Sequence, residues 1–273
     1  MSVKNSQNIV ILILIFFIIY LLDIKMSSLK EIKIMCMGDS ITFGHRYPGS
    51  YRKFLYHNLI TKGYKIRMVG AKENKIEKYN DFEYQNDNSG YSAYTISNYE
   101  KRKGLFEVLE QTQCLKLNPD IIILLIGTNN VMDNINFDIT VKSFITLIEY
   151  ILNNINKNAT IFVSTILDMN PNHKINYNWF DNYRKKNIND DEVLKIVNDY
   201  VNKYNNKIKE IVEDYKNKNY NIKIENLNEI IKLNEFDDLM LDGVHPNDNG
   251  YKKIGDFWTE IIDNYLKKNN HII

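Results

Sequence analysis

The sequence predicts an α/β fold in three layers, with a five-stranded parallel sheet between two layers of helices. Three observations lead there. Short apolar runs alternate with segments whose apolar residues recur at helical spacing, the pattern of repeated strand–helix units. The run 120–126 is apolar after its first residue, as a strand covered on both faces must be. Two apolar runs stop abruptly at small polar residues, Gly38-Asp39-Ser40 and Gly127-Thr128-Asn129. That strand end is where open α/β sheets bind ligands.

Taken in order, residues 32–37 read as the first strand, short, strongly apolar and flanked by polar residues. Gly38 permits a sharp turn that leaves Ser40 at the strand's C-terminal end. A loop is expected over 42–49, then a helix through Tyr51, Phe54, Leu55 and Leu59, closed by Lys62-Gly63. Residues 65–70 read as the second strand. A polar loop over 71–89 follows, long enough to carry a function. Leu105, Val108, Leu109 and Leu115 mark a helix that Asn118-Pro119 breaks. The third strand is 120–126, the next helix 137–154 and the fourth strand 160–165. A second long loop spans 166–189, a charged helix 191–216 and a short fifth strand 220–225. The turn at 241–246 leads into a last helix over 249–267. With no repeat and no Pro- or Gly-rich linker, residues 29–273 are expected to form one domain.

The 273 residues are 44% hydrophobic with a net charge of +1, which suits one ordinary core. That balance argues against nucleic acid or an anionic surface as partner, and a monomer is expected. Cys36 and Cys114 do not make a disulfide framework, and Cys36 should be a buried free thiol. No Cys/His cluster has zinc-ligand spacing, so neither a metal nor a cofactor is expected. At the N-terminus Lys4 precedes the apolar run 9–22, at the short limit for spanning a bilayer. Residues 1–28 are therefore read as a signal peptide or, because no small-x-small cleavage site follows, a signal-anchor that tethers the protein through residues 9–22. A secreted or cell-surface location follows, and the sequon Asn158-Ala159-Thr160 agrees with it. A start at Met26 would instead leave the product in the cytosol.

A serine hydroxyl is a weak nucleophile and needs a neighbouring base. Histidine titrates in the right range, and a carboxylate on its other ring nitrogen fixes the tautomer and steadies the imidazolium. Asp242 and His245, three apart across a tight turn, can supply both for Ser40. The Ser40 backbone N–H and the Asn129 side-chain amide are candidate oxyanion donors. Each piece has a plainer reading. Ser40 can cap the next helix, and Gly127-Thr128-Asn129 and Asp242-Gly243 can be simple turns. Joint order at strand ends favours a catalytic set. Among other histidines, His173 with Asp168 nearby is the strongest rival base. His45 lacks a carboxylate placed as Asp242 is, His57 falls within a predicted helix and His271 in the tail. The dinucleotide fingerprint, the P-loop and the Gly-x-Ser-x-Gly elbow are all absent around Ser40.

Four blocks in order, Gly38-Asp39-Ser40-Ile41-Thr42, residues 88–96, Gly127-Thr128-Asn129-Asn130 and Asp242-Gly243-Val244-His245-Pro246, resemble the SGNH (GDSL-type) hydrolases. The second and last blocks are most similar to acetylxylan esterases of carbohydrate esterase family 3. The resemblance implies a flavodoxin-like strand order 2-1-3-4-5 and a metal-free serine esterase. It adds the backbone N–H of residue 93 as an oxyanion donor, where the family usually carries glycine and this chain has Ala93. Gly90 is the alternative donor under a shifted alignment. Asn130 stands where the family often has Asp and, with Asp39, is expected to support the site from behind.

The expected function is hydrolysis of O-acyl, chiefly O-acetyl, esters on a carbohydrate such as acetylated xylan. Tyr177, Trp179 and Phe180, with Tyr183, lie in the loop after the fourth strand and form a candidate sugar-binding wall or, equally, an anchor for that loop. A lipid or aryl esterase with the same chemistry and a non-catalytic, membrane-tethered carbohydrate-binding protein are the alternatives.

Overall fold

Side chains on a strand alternate between faces, and a strand packed on both sides must be apolar on both. Strand β1 (Ile32–Gly38) obeys this: Ile32, Ile34 and Cys36 join one buried cluster, Met35 and Met37 the other. The computed structural model describes residues 30–72, 76–184 and 188–269, together with Ile13 and Phe17. The expected leader over 1–28 and His271 thus lie outside the described residues, those two positions apart. Among the described residues no helix is long and apolar enough to cross a membrane.

β1 pairs in parallel with β2 (Ile66–Val69) on one side and with β6 (Ile121–Leu125) on the other. β7 (Thr160–Ser164) and β8 (Ile222–Glu225) extend the sheet, giving the spatial order β2-β1-β6-β7-β8, all parallel. This is the expected five-stranded order. β6 alternates as β1 does, with Ile121, Ile123 and Leu125 on one face and Ile122 and Leu124 on the other.

Helices α2 (Ser50–Thr61) and α9 (Asp248–Lys268) cover the first face, burying Tyr51, Leu55, Tyr251 and Trp258. Helices α3 (Leu105–Thr112), α5 (Phe137–Asn154) and α7 (Asp190–Asn217) cover the second with Leu109, Phe144, Val201 and Tyr204. Asn136 caps α5, and a reciprocal Asn189–Glu192 capping box starts α7. Both cysteines are buried and free. Burial pushes the Cys36 thiol up to about 12, which makes it inert.

Several segments read as loops are structured. Residues 40–43 form a short helix, α1 (Ser40–Phe43), and Thr128–Met132 forms another, α4. Within the polar stretch 71–89 a hairpin joins β3 (Ile76–Tyr79) to β4 (Phe82–Gln85) through Asn80, at φ 51°. Its Tyr79 and Phe82 rings pack edge-on to Phe54, so the hairpin folds over α2. The two-residue strand β5 (Ser89–Gly90) then pairs with the end of β1. The second long loop contains a tight turn over Tyr177–Phe180 and the one-turn helix α6 (Asp181–Arg184). A further short helix, α8 (Phe236–Leu239), precedes the turn into α9.

Candidate active site

The site begins where β1 ends. A Cβ added at Gly38 would lie 1.9 Å from the Leu125 carbonyl oxygen, so only glycine lets β1 pass this close to β6 before the turn. Asp39, not Ser40, caps α1: its Oδ1 accepts the Ile41 N–H at 3.0 Å. The Ser40 hydroxyl is therefore not spent on a cap. Its backbone N–H, at the first position of α1, has no acceptor within the helix. Burial pushes the Asp39 carboxyl up to about 6, against the pull of the Ile41 N–H. Arg52 of α2, wholly buried, holds the other end of α1. It donates to the carbonyls of Thr42 at 2.9 Å, Phe43 at 3.2 Å and Asn86 at 3.1 Å. A cation there complements the helix C-terminus.

The turn between α8 and α9 supplies the histidine. Leu241 N–H donates to the His245 carbonyl at 2.8 Å. Gly243 turns the chain at φ 79°, and a Cβ there would lie 2.6 Å from the Asn170 carbonyl oxygen. Asp242 Oδ1 accepts the N–H groups of Val244 at 3.0 Å and His245 at 2.8 Å. His245 Nδ1 donates to Asp242 Oδ2 at 2.9 Å, so the lone pair of Nε2 faces Ser40 Oγ at 2.7 Å. Burial alone would raise the Asp242 carboxyl. The hydrogen bonds and charge of His245 outweigh it and hold the group below its ordinary value. The serine hydroxyl, imidazole and carboxylate thus form one buried chain.

The chain opens onto a pocket of ≈ 290 Å3 whose lining includes Ala93, Asn129, Met132 and Trp179. Ala93 sits at φ 65°, the left-handed conformation that glycine adopts freely. Three side chains hold its loop. Asn129 Nδ2 donates to the Tyr94 carbonyl at 2.8 Å, and Asn130 Oδ1 accepts the Ile96 N–H at 3.0 Å. Arg102 donates to the Ala93 carbonyl at 3.3 Å while its guanidinium grips Asp133 at 2.6 and 2.7 Å. Asn130 thus acts as an acceptor, which an aspartate would also be.

The other expected residues fall differently. The Gly90 N–H is already donated to Asn88 Oδ1 at 2.9 Å and Gly90 is buried under α1, which corrects its reading as an alternative donor. The aromatic wall reduces to Trp179, which lines the pocket edge-on to His245 with ring centroids 5.9 Å apart. Phe180 is fully buried in the core beneath the turn, because successive side chains of a tight turn point in different directions. Tyr183 is buried too, its hydroxyl on the Val131 carbonyl at 2.5 Å. Tyr177 stacks under the Arg184 guanidinium, 3.6 Å from the ring centroid, on the outside of the loop. His173 is occupied in its own turn, Nδ1 accepting the Ile175 N–H at 3.3 Å, and His57 stacks on Phe82.

Sequence reasoning missed His45, Ser92, Arg102 and Met132 as pocket residues. His45 lies five residues after Ser40 with its ring centroid 4.7 Å from that of His245. Proximity to the nucleophile was the one signal available for it. Burial, and then the neighbouring His245, hold its ring below the ordinary histidine value.

Fold and site together define a serine hydrolase built on a doubly covered parallel sheet. The chain belongs to the GDSL-like lipase/acylhydrolase family, whose model matches residues 34–258. It is 34% identical over 252 residues to a multidomain esterase of Ruminococcus flavefaciens, covering 88% of this chain and 30% of that protein. The chain therefore spans under a third of the length of that relative. Among solved structures it is similar to a family 3 carbohydrate esterase of Clostridium thermocellum, with 26% identity, a TM-score of 0.62 and coverage of 88% of this chain and 98% of that one. An acetyl xylan esterase shares the fold at 18% identity and a TM-score of 0.54, over 84% of this chain and 100% of its own. Family and site mark the domain as a carboxylic ester hydrolase.

Proposed function

We propose that the domain removes O-acyl, chiefly O-acetyl, groups from a polysaccharide such as acetylated xylan. His245 Nε2 takes the Ser40 Oγ proton as the oxygen attacks the ester carbonyl. The Ser40 and Ala93 N–H groups and the Asn129 amide hold the oxyanion. The tetrahedral intermediate expels the sugar alkoxide, which takes the proton from His245 and leaves an acyl-Ser40. Water, giving a proton to the same nitrogen, attacks that ester. The carboxylic acid departs as Ser40 recovers its proton. Asp242 keeps the imidazole oriented and steadies its charged form throughout.

The observation that carries this reading is the 2.7 Å Ser40–His245 contact at the edge of a pocket that Ala93, Met132 and Trp179 line. A short acyl group suits that space between Met132 and Ala93, and Trp179 offers an aromatic ring beside it for a sugar. The likeness to a family 3 carbohydrate esterase supports the carbohydrate. A series of p-nitrophenyl esters of rising acyl length, run beside acetylated xylan, tests it. Acetate should be turned over fastest and acetate should be released from xylan. A preference for long chains would make the protein a lipid or aryl esterase. Xylan binding with no turnover of any ester would leave a carbohydrate-binding protein.

The apolar run at 9–22 supports a secreted or surface-tethered protein with the catalytic domain after residue 28. Fractionation of cells making the full chain tests this, and a wholly cytosolic product would favour a start at Met26.

A further inference from the structure

The catalytic pocket is not isolated. Arg102 on its rim also lines a second hollow of ≈ 630 Å3, with Tyr99, Asn134 and Asn182 among its other walls. Tyr99 and Asn134 in turn line a third, of ≈ 620 Å3, together with Phe137 and Tyr200. The three hollows follow one another away from Ser40 through shared lining side chains, Arg102 between the first two and Tyr99 and Asn134 between the last two, and the two outer ones each exceed the catalytic pocket. An acyl group needs none of that space.

The lining says what fits. In the second hollow Lys101 and Arg102 are matched by Glu100 and Asp133, and Arg102 is already gripped by Asp133 at 2.6 and 2.7 Å. In the third, Lys203 is matched by Asp199, and the Lys203 ammonium lies over the Phe137 ring, 3.9 Å from its centroid. Formal charge cancels in each hollow, so neither a polyanion nor a polycation gains from entering. Tyrosine rings and asparagine amides remain, groups that stack on and hydrogen-bond to hydroxyl-rich neutral surfaces. The Tyr99–Arg102 turn that presents them is closed by backbone bonds of 3.1 and 2.8 Å, and Asn182 Nδ2 donates to the Asp133 carbonyl at 3.2 Å, so the walls are built in advance.

We propose that this path is a one-sided cleft for a neutral glycan chain: the ester-bearing sugar sits at Trp179 and the chain runs over Arg102 to Tyr99 and Tyr200. It rests on the carbohydrate reading above and adds that the enzyme grips several unesterified sugars beyond the reacting one, and that uronate-rich polymers are poor ligands.

Calorimetric titration of the full chain carrying Ser40→Ala, with xylobiose, xylohexaose and hexagalacturonate as probes, tests it. Xylohexaose should bind at least about tenfold more tightly than xylobiose, hexagalacturonate should bind more weakly than either, and Tyr99→Ala should remove most of the gain from chain length. Melting curves of each variant check that the fold persists, and Asn134→Ala gives a second, independent perturbation. Equal affinities for the two xylo-oligosaccharides, tighter binding of the uronate, or a length gain untouched by both variants would overturn the cleft. Because hydrolysis plays no part in this readout, failure of the cleft is separate from failure of the esterase reading, which wild-type turnover decides.

Discussion

Ser40, His245 and Asp242 form one relay, with Ser40 Oγ 2.7 Å from His245 Nε2 and His245 Nδ1 2.9 Å from Asp242 Oδ2, and two neighbours shape how it works. Ala93 occupies a left-handed backbone at φ 65° that a β-branched side chain tolerates poorly. Ala93→Gly should keep kcat within about threefold of wild type, whereas Ala93→Val should lower it about tenfold or more with the fold intact. Full activity in the valine variant would exclude the residue 93 N–H as a donor. Asp39 carries a pH signature. Its carboxyl ionises at about 6 in the fold against an ordinary 3.8, so the native state binds that proton more tightly. The resulting stabilisation is complete below the ordinary value and is lost as pH rises through about 6. Asp39→Asn should flatten the fall in stability between about pH 4 and 7, by up to roughly 3 kcal/mol, in urea denaturation at several pH values. An unchanged slope would count against a buried, strained charge behind the nucleophile.

Among the elements, the inner strands β1, β6 and β7 were readable because burial on both faces leaves few polar residues in them, β6 most of all, whereas the edge strands β2 and β8 carry Arg67, Lys223 and Glu225 and were read from their place between helices. The hairpin β3–β4 was not, since its strands are half exposed and rich in Glu, Lys and Tyr. The Asn80-Asp81 pair between two short alternating runs was the signal that could have found it. Helix α1 is too short to hold itself and depends on Arg52 at its C-terminal end. Arg52→Lys, which loses the fork, should cost about 2–4 kcal/mol of stability and lower kcat more than it raises KM. Equal kcat in a fully folded variant would show that α1 needs no such clamp. The aromatic turn offers a contrast within two neighbours. Phe180→Ala should cost about 3–5 kcal/mol in denaturation, while Trp179→Ala should stay within about 1 kcal/mol and act on KM for acetylated xylan. Similar stability losses for both would mean that Trp179 is also an anchor.

The whole molecule works by bringing segments far apart in the chain to one rim. β1 delivers the nucleophile, the loop after β5 delivers Ala93, β6 delivers Asn129, and the turn before α9 delivers the base, 205 residues from Ser40. Two apolar clusters, one on each face of the sheet, hold those strand ends in register. Loops placed by a rigid sheet are free to vary, which is why the cleft walls at Tyr99, Arg102 and Asn134 left no trace in a sequence read for motifs. The rim also discriminates between bases. His173→Ala should retain most esterase activity, whereas His245→Ala should reduce it to near background, and comparable losses would reassign the base. The most direct measurement is labelling of the full chain with a fluorophosphonate followed by peptide mapping. One adduct at Ser40, lost in His245→Ala, is expected; an unlabelled protein, or a label that persists without His245, would contradict an imidazole-activated serine.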